Sequence, residues 1–143
     1  MKDNIKLDDL IKVAKFHKGR DLDLLAKGES FYENGDIYPS GCFNFPENIR
    51  FVGLNVYKQG VPRGCHYHLH KSEYTYILKG EIKAEFVLIN DTSQRKEIIL
   101  HEGDVIHFLP GQHHTLTAIN GDAIALEASP QIYDANDHYK TSM

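Results

Sequence analysis

From residue 49 onward, apolar and polar positions alternate in short runs broken by turn-forming residues. Between Ile49 and Lys58, Val52, Leu54 and Val56 alternate with Phe51, Gly53 and Asn55, the two-residue period of a half-buried strand. The run EYTYILK puts Glu73, Thr75 and Ile77 on one side and Tyr74, Tyr76 and Leu78 on the other, and its β-branched and aromatic content predicts a strand ended by Gly80. EIKAEFVLIN follows as a further strand, Asp91 to Gln94 as a polar turn and KEIILHEG as the next strand. GDVIHFLPGQHHTL then predicts a turn at Gly103-Asp104, a strand over Val105 to Leu109, a turn at Pro110-Gly111 and a strand opened by His114. Residues 115 to 120 and 122 to 128 are expected to pair as a hairpin across Asn120-Gly121, a dipeptide that tolerates the positive φ angles of a two-residue turn.

The flanks read differently. Leu7, Leu10, Ile11 and Ala14 fall at helical spacing, with Asp8 and Asp9 early and Lys15 and Lys18 late, which predicts a short N-terminal helix over residues 7 to 18 closed by Gly19. Residues 28 to 41, with Asn34-Gly35 as the turn signal, read as an entrance hairpin or edge loop. The polar tail from Ser129 leaves two alternatives open, folded over a barrel mouth or mobile. Short strands with no βαβ alternation give an all-β class, a barrel of jelly-roll type in which closure or a double sheet removes exposed edges.

Length and charge narrow the picture further. A chain of 143 residues is expected to form one domain, burying about 68–70% of its unfolded surface. That domain comprises the helix at 7–18, a core barrel at 49–128 and a tail at 129–143. The net charge of -4 gives no reason to expect nucleic acid. Cys42 and Cys65 lack CxxC spacing, no basic-flanked apolar stretch opens the chain, and no long apolar run suits a membrane span. The expectation is a cytoplasmic protein with reduced thiols and no membrane partner.

His66 and His68, two apart, present both imidazoles on one face of an extended strand. Glu73 follows at the wrong parity for that face, so the chain must turn or bulge near Lys71 and Ser72. The spacing Gly60, five residues, His66, one residue, His68, four residues, Glu73, six residues, Gly80 resembles the first cupin motif without a gap. The second motif is matched by Gly103 and His114, eleven apart, with Gly111 three before the histidine. Leu109 stands where that pattern has proline, with Pro110 one place later, and Ala118 where asparagine often stands.

The resemblance implies a cupin jelly roll in which His66, His68, Glu73 and His114 hold a metal. Three imidazoles and a carboxylate suit divalent zinc, iron, manganese, nickel or cobalt and leave one or two positions open. The competing reading makes the histidines barrel-lining polar groups satisfied by hydrogen bonds. Cys65 adjoins His66 but faces away on a regular strand, as a packed thiol would. His70 and His113 neighbour the proposed ligands as supporting or surface groups, His107 shares the face of Val105 and Leu109, and His17, His101 and His138 are expected in solvent.

Arg63 precedes the ligands, where a guanidinium at a barrel mouth can bind carboxylate or phosphate through two parallel hydrogen bonds, the alternative being a surface ion pair. RGCHYH followed by Glu73, and the ending LEASP, are similar to cupins of sugar-nucleotide and capsular-polysaccharide pathways. This resemblance implies isomerisation or epimerisation of a sugar or sugar nucleotide next to a carbonyl, with Glu73, Arg63 and Tyr139 as catalytic candidates. Proton carriers would be His66 if unmetallated, or Tyr76, Tyr133 or Tyr139. Because Tyr76 lies opposite Glu73, the tail tyrosines come first. The alternatives are a ferrous dioxygenase and a non-catalytic small-molecule binder. The resemblance further implies a homodimer, with residues 28 to 58 as its interface.

Overall fold

The computed structural model describes residues 5–15, 45 and 47–143. The stretch 28 to 41, His17 and Cys42 lie outside the described residues. Among the described residues there are eight strands, β1 (Ile11–Lys15), β2 (Phe51–Tyr57), β3 (Arg63–Tyr67), β4 (Glu73–Leu88), β5 (Arg95–Leu100), β6 (Asp104–Phe108), β7 (Gln112–Ser129) and β8 (Tyr139–Lys140). They form one sheet of order β1-β6-β4-β7-β3-β8, with β2 also on β7 and β5 also on β4.

The long strands β4 and β7 pair with each other at both ends and divide the sheet into halves. Their register joins Glu81–Leu88 to Gln112–Ile119 in one half and Tyr74–Lys79 to Ile124–Ala128 in the other. The first half is extended by β5 and β3, the second by β6 and β2. At the junction, β7 advances from Ile119 to Ile124 while β4 moves only from Glu81 to Lys79. This excess of residues bulges β7, and the bulge shifts side-chain parity. Ile77 hands the interior over to Ile82, Ala84, Phe86 and Leu88 in β4, just as Leu116 and Ala118 hand it over to Ala123 and Ala125 in β7. Both halves therefore keep an apolar inner face despite the bend. Gly80, at φ 87°, marks the contact, since a Cβ there would meet Asp122 O at 2.7 Å and Ala123 Cβ at 2.9 Å.

Three local expectations are corrected here. Gly80 does not end a strand, because β4 runs through it to Leu88. Residues 115 to 120 and 122 to 128 do not pair as a hairpin. Asn120 and Gly121 do have positive φ, at 56° and 121°, but both flanking segments pair with β4, so the turn chemistry makes a bulge rather than a reversal. The helix expected over 7 to 18 is, among its described residues, a 3-10 turn at Leu7–Leu10 followed by β1. The edge of β6 explains this, since it pairs with every residue from Ile11 to Lys15. Leu7 and Ile11 still reach the core, so helical spacing and strand pairing bury the same residues and the sheet decides between them.

Of the two alternatives for the tail, the structure takes the folded one. A second 3-10 turn at Ala135–Asp137 leads into β8, which pairs with β3 beside the histidines.

Candidate metal centre

His66 lies in β3 directly opposite His114 of β7, His68 follows the end of β3, and Glu73 opens β4. The backbone of β3 is irregular where this happens. Gly64 and Cys65 have φ of 87° and 52°, and the register slips between Gly64 and His66. A Cβ at Gly64 would meet His114 O at 3.0 Å, so the close approach of the two strands requires glycine. As a result, one ligand atom each from His66, His68, Glu73 and His114 lie within 4.8 Å of one another. His68, Glu73 and His114 are buried and His66 is half-buried.

The hydrogen bonds set the chemistry of these atoms. His68 donates from Nδ1 to the carbonyl oxygen of Asp137 at 2.5 Å, so Nε2 is the nitrogen that faces Glu73 Oε1, 3.1 Å away, donating to it when the imidazole is charged and open to a metal when it is neutral. His114 Nε2 lies 4.0 Å from Glu73 Oε2. Burial pulls His114 down to about 3, and burial followed by the neighbouring His68 pulls His66 down to about 4. Both are therefore neutral imidazoles at physiological pH, the form a metal would require. For His68, burial again acts downward, but the Glu73 carboxylate and the Asp137 carbonyl outweigh it and raise the imidazole above its ordinary value. Burial would raise Glu73. His68 opposes this, followed by His114, Glu127 and Lys71, and they hold its carboxyl well below the usual range.

The donor set fits a transition metal. His114 Nδ1 is buried without a hydrogen-bond partner, an expensive arrangement for a purely structural histidine, and the buried Nε2 of His68 faces the Glu73 carboxylate. The expectation that hydrogen bonds satisfy the barrel-lining histidines thus fails at His114 Nδ1.

Sequence reasoning missed the other side of Glu73. Lys71, read as a turn residue, is buried at 6% exposure. Its ammonium sits 3.4 Å from both Glu73 Oε1 and Glu127 Oε1 and 4.5 Å from the centroid of the Phe51 ring. Glu127 also accepts from Asn55 Nδ2 at 3.2 Å. Burial, then the Glu73 charge, push its carboxyl up to about 7. Alternation from Ala123 and Ala125 could have placed Glu127 inside. Nothing in the spacing marked Lys71.

The other candidates scatter. Arg63 is exposed, donates to Val56 O at 2.8 Å and lies 5.3 Å from the Tyr57 ring centroid. With His66, His138 and Lys140 it lines a cavity of about 310 Å³ that reaches the cluster at His66. Tyr139 is not brought to the cluster, because its ring stacks on Tyr67, the neighbour of His66 on the other side of β3. The tail residue that does arrive is His138, its ring centroid 4.4 Å from that of His66, where solvent had been expected. Tyr133 is exposed, and burial followed by Glu102 raises Tyr76 to about 12. His113 is buried and donates to Thr141 O at 2.6 Å, His107 stacks on Tyr74, and His70 and His101 are exposed. Cys65 is half-buried, with Thr115 Oγ1 donating to its sulfur at 3.6 Å.

The fold is shared with solved structures. The 4-keto-6-deoxy sugar epimerase NovW from Streptomyces spheroides aligns at 19% identity and TM-score 0.60, over 67% of this chain and 53% of that one. The capsular polysaccharide assembling protein CapF from Staphylococcus aureus aligns at 22% and 0.61, over 69% of this chain and 28% of that one. A single-site mutant of the 3,4-ketoisomerase QdtA from Thermoanaerobacterium thermosaccharolyticum, in complex with TDP-4-keto-6-deoxyglucose, aligns at 16% and 0.65, over 92% and 87%. The chain thus spans about half of the first protein and under a third of the second, and at these identities the likeness is one of fold. No curated protein matches. The cupin family matches residues 26–133. With that match running through β2 to β7 and taking in all four converging side chains, the chain belongs to the cupin family.

Proposed function

We propose that this protein holds a divalent transition metal between His66, His68, Glu73 and His114 and isomerises or epimerises a sugar or sugar nucleotide at a carbon next to a carbonyl. The observation that carries the reading is the convergence of those four ligand atoms within 4.8 Å beside a cavity lined by two cations, Arg63 and Lys140. A bound metal would supply Lewis-acid stabilisation of negative charge on the substrate's oxygen. Arg63 and Lys140 would bind an anionic group of the substrate at the cavity mouth, and His138 would cover its inner end. Lys71, buried, and Glu127, half-buried, are a donor and an acceptor adjoining Glu73, and they replace Tyr139 as our candidates for holding and returning the proton. Fold-sharing sugar epimerases and ketoisomerases support the substrate class by analogy.

The test is solvent exchange. Zinc-loaded protein, kept anaerobic in deuterated water, should place deuterium next to the carbonyl of a 4-keto-6-deoxy sugar nucleotide, read by proton NMR. Tight binding without exchange would leave the non-catalytic binder, and oxygen uptake dependent on ferrous ion would favour the dioxygenase.

The same reading includes a homodimer. Of its expected interface at residues 28 to 58, the described part presents Val52, Leu54 and Val56 outward at 63%, 64% and 49% exposure. Sedimentation equilibrium should return twice the chain mass, and a V52K/L54K variant should return one. A parent protein of single-chain mass removes the dimer. No helix among the described residues is long and apolar enough to cross a membrane.

A further inference from the structure

The segment that carries His68 toward Glu73 lies between strands, from the end of β3 at Tyr67 to the start of β4 at Glu73. Its backbone donors must be satisfied from elsewhere. One tail residue does most of this. Asp137 Oδ1 accepts from Leu69 N at 2.8 Å, and Oδ2 accepts from His70 N at 3.1 Å and Lys71 N at 3.0 Å. The carbonyl of the same residue accepts from His68 Nδ1. Four donors of consecutive residues thus end on Asp137, itself 6% exposed. Burial would raise its carboxyl, but the three N–H donors outweigh burial and lower it. The tail is pinned on both sides of this residue. Gln131 Oε1 accepts from Ser72 N at 3.0 Å, Thr141 N donates to Cys65 O at 3.0 Å, and Thr141 O accepts from His113.

We propose that Asp137 is a positioning residue of the metal centre: it fixes the Nδ1–H tautomer of His68 and the placement of His68 relative to Glu73, so that metal affinity depends on a tail that supplies no ligand. The inference rests on the metal-binding reading of the four ligands. An imidazole can ligate only through the nitrogen that does not carry its proton, and the hydrogen bond at the other nitrogen decides which one that is. The side chain acts one step back, by holding the loop and its own peptide in register. Three converging N–H groups need two acceptor oxygens. An asparagine would offer one and turn an NH₂ group toward the remaining donors.

Asp137→Asn is the direct test, read by cobalt(II) titration with its visible spectrum and by zinc competition. The variant should bind about 10–100-fold more weakly and show an altered cobalt spectrum. Asp137→Glu, which keeps both oxygens, should recover part of the affinity. Equal affinity and an unchanged spectrum in Asp137→Asn overturn the proposal. Long-range proton–nitrogen NMR of the metal-free parent, in mildly alkaline buffer, reads the tautomer directly and needs no variant to fold. A proton on Nδ1 of His68 is expected, and one on Nε2 overturns the proposal. If the parent protein binds no cobalt, the metal reading itself fails, while the tautomer still decides what Asp137 does.

Discussion

Replacing His114 with alanine will remove the gain in stability that zinc or cobalt gives the parent protein. A ligand that binds only the folded state stabilises it by about 2.7 kcal/mol at a hundred times its dissociation constant and about 4 kcal/mol at a thousand times. The parent should therefore show a metal-dependent rise in its unfolding midpoint, and the variant none. The metal-free variant will also be less stable, since His114 is 2% exposed and its loss leaves a void beside Phe108. The comparison with and without metal isolates the ligand role, and a variant still stabilised by metal as strongly as the parent would count against His114 as a ligand.

The pH dependence follows from the same imidazoles. His66 and His114 have folded values lowered from 6.5 to about 4 and about 3. Below 6.5 the unfolded chain therefore binds protons that these side chains resist, and stability is lost as pH falls through that window. His68 is raised, so its pairing with Glu73 is fully present below 6.5 and is lost as pH rises through the folded value. A metal must displace that proton. Metal affinity should accordingly climb with pH above 6.5, over the range in which the metal-free protein loses the His68 contribution.

Lys71→Met should destabilise the metal-free protein by about 3–5 kcal/mol, the usual cost of removing one partner of a buried ion pair. Lys71 is the ammonium that Glu73 and Glu127 share, and its removal leaves two carboxylates facing each other away from water. The loss of its contact with the Phe51 ring adds a smaller amount, partly offset by the apolar methionine. Glu127 sets the pH dependence. Its carboxyl rises from 4.5 to about 7 on folding, so the native state holds more protons than the unfolded one across that window and Glu127 lowers stability as pH increases. The Lys71 charge lowers Glu127, so its removal raises that carboxyl further. The penalty of Lys71→Met should therefore grow as pH rises above about 7, where the parent's Glu127 ionises and the variant's does not, and Glu127→Gln in the Lys71→Met background should recover part of it. Urea unfolding at several pH values measures both effects. A loss below about 0.5 kcal/mol, the size of an ordinary surface change, would mean that Lys71 is not the counter-charge described here.

Much of this protein was determined by its sequence alone. Two-residue alternation reported most strand positions, because a strand with one buried face must repeat at that period. The spacing of His66, His68, Glu73 and His114 marked residues that do converge, because it encodes the strands and turns that bring them together. Other features waited for tertiary structure. Asn120-Gly121 carries the dihedral signature of a reversal and of a bulge alike, and only the continued pairing of β7 with β4 selects the bulge. Residues from Leu7 to Lys15 suit a helix in isolation, yet the open edge of β6 makes the last five a strand. Lys71, Glu127 and Asp137 stand 2, 54 and 64 positions from Glu73 in the sequence, and no local period links them. Their roles come from folding, which brings distant segments into a space where water is scarce and each charge or N–H group must find a partner within the chain.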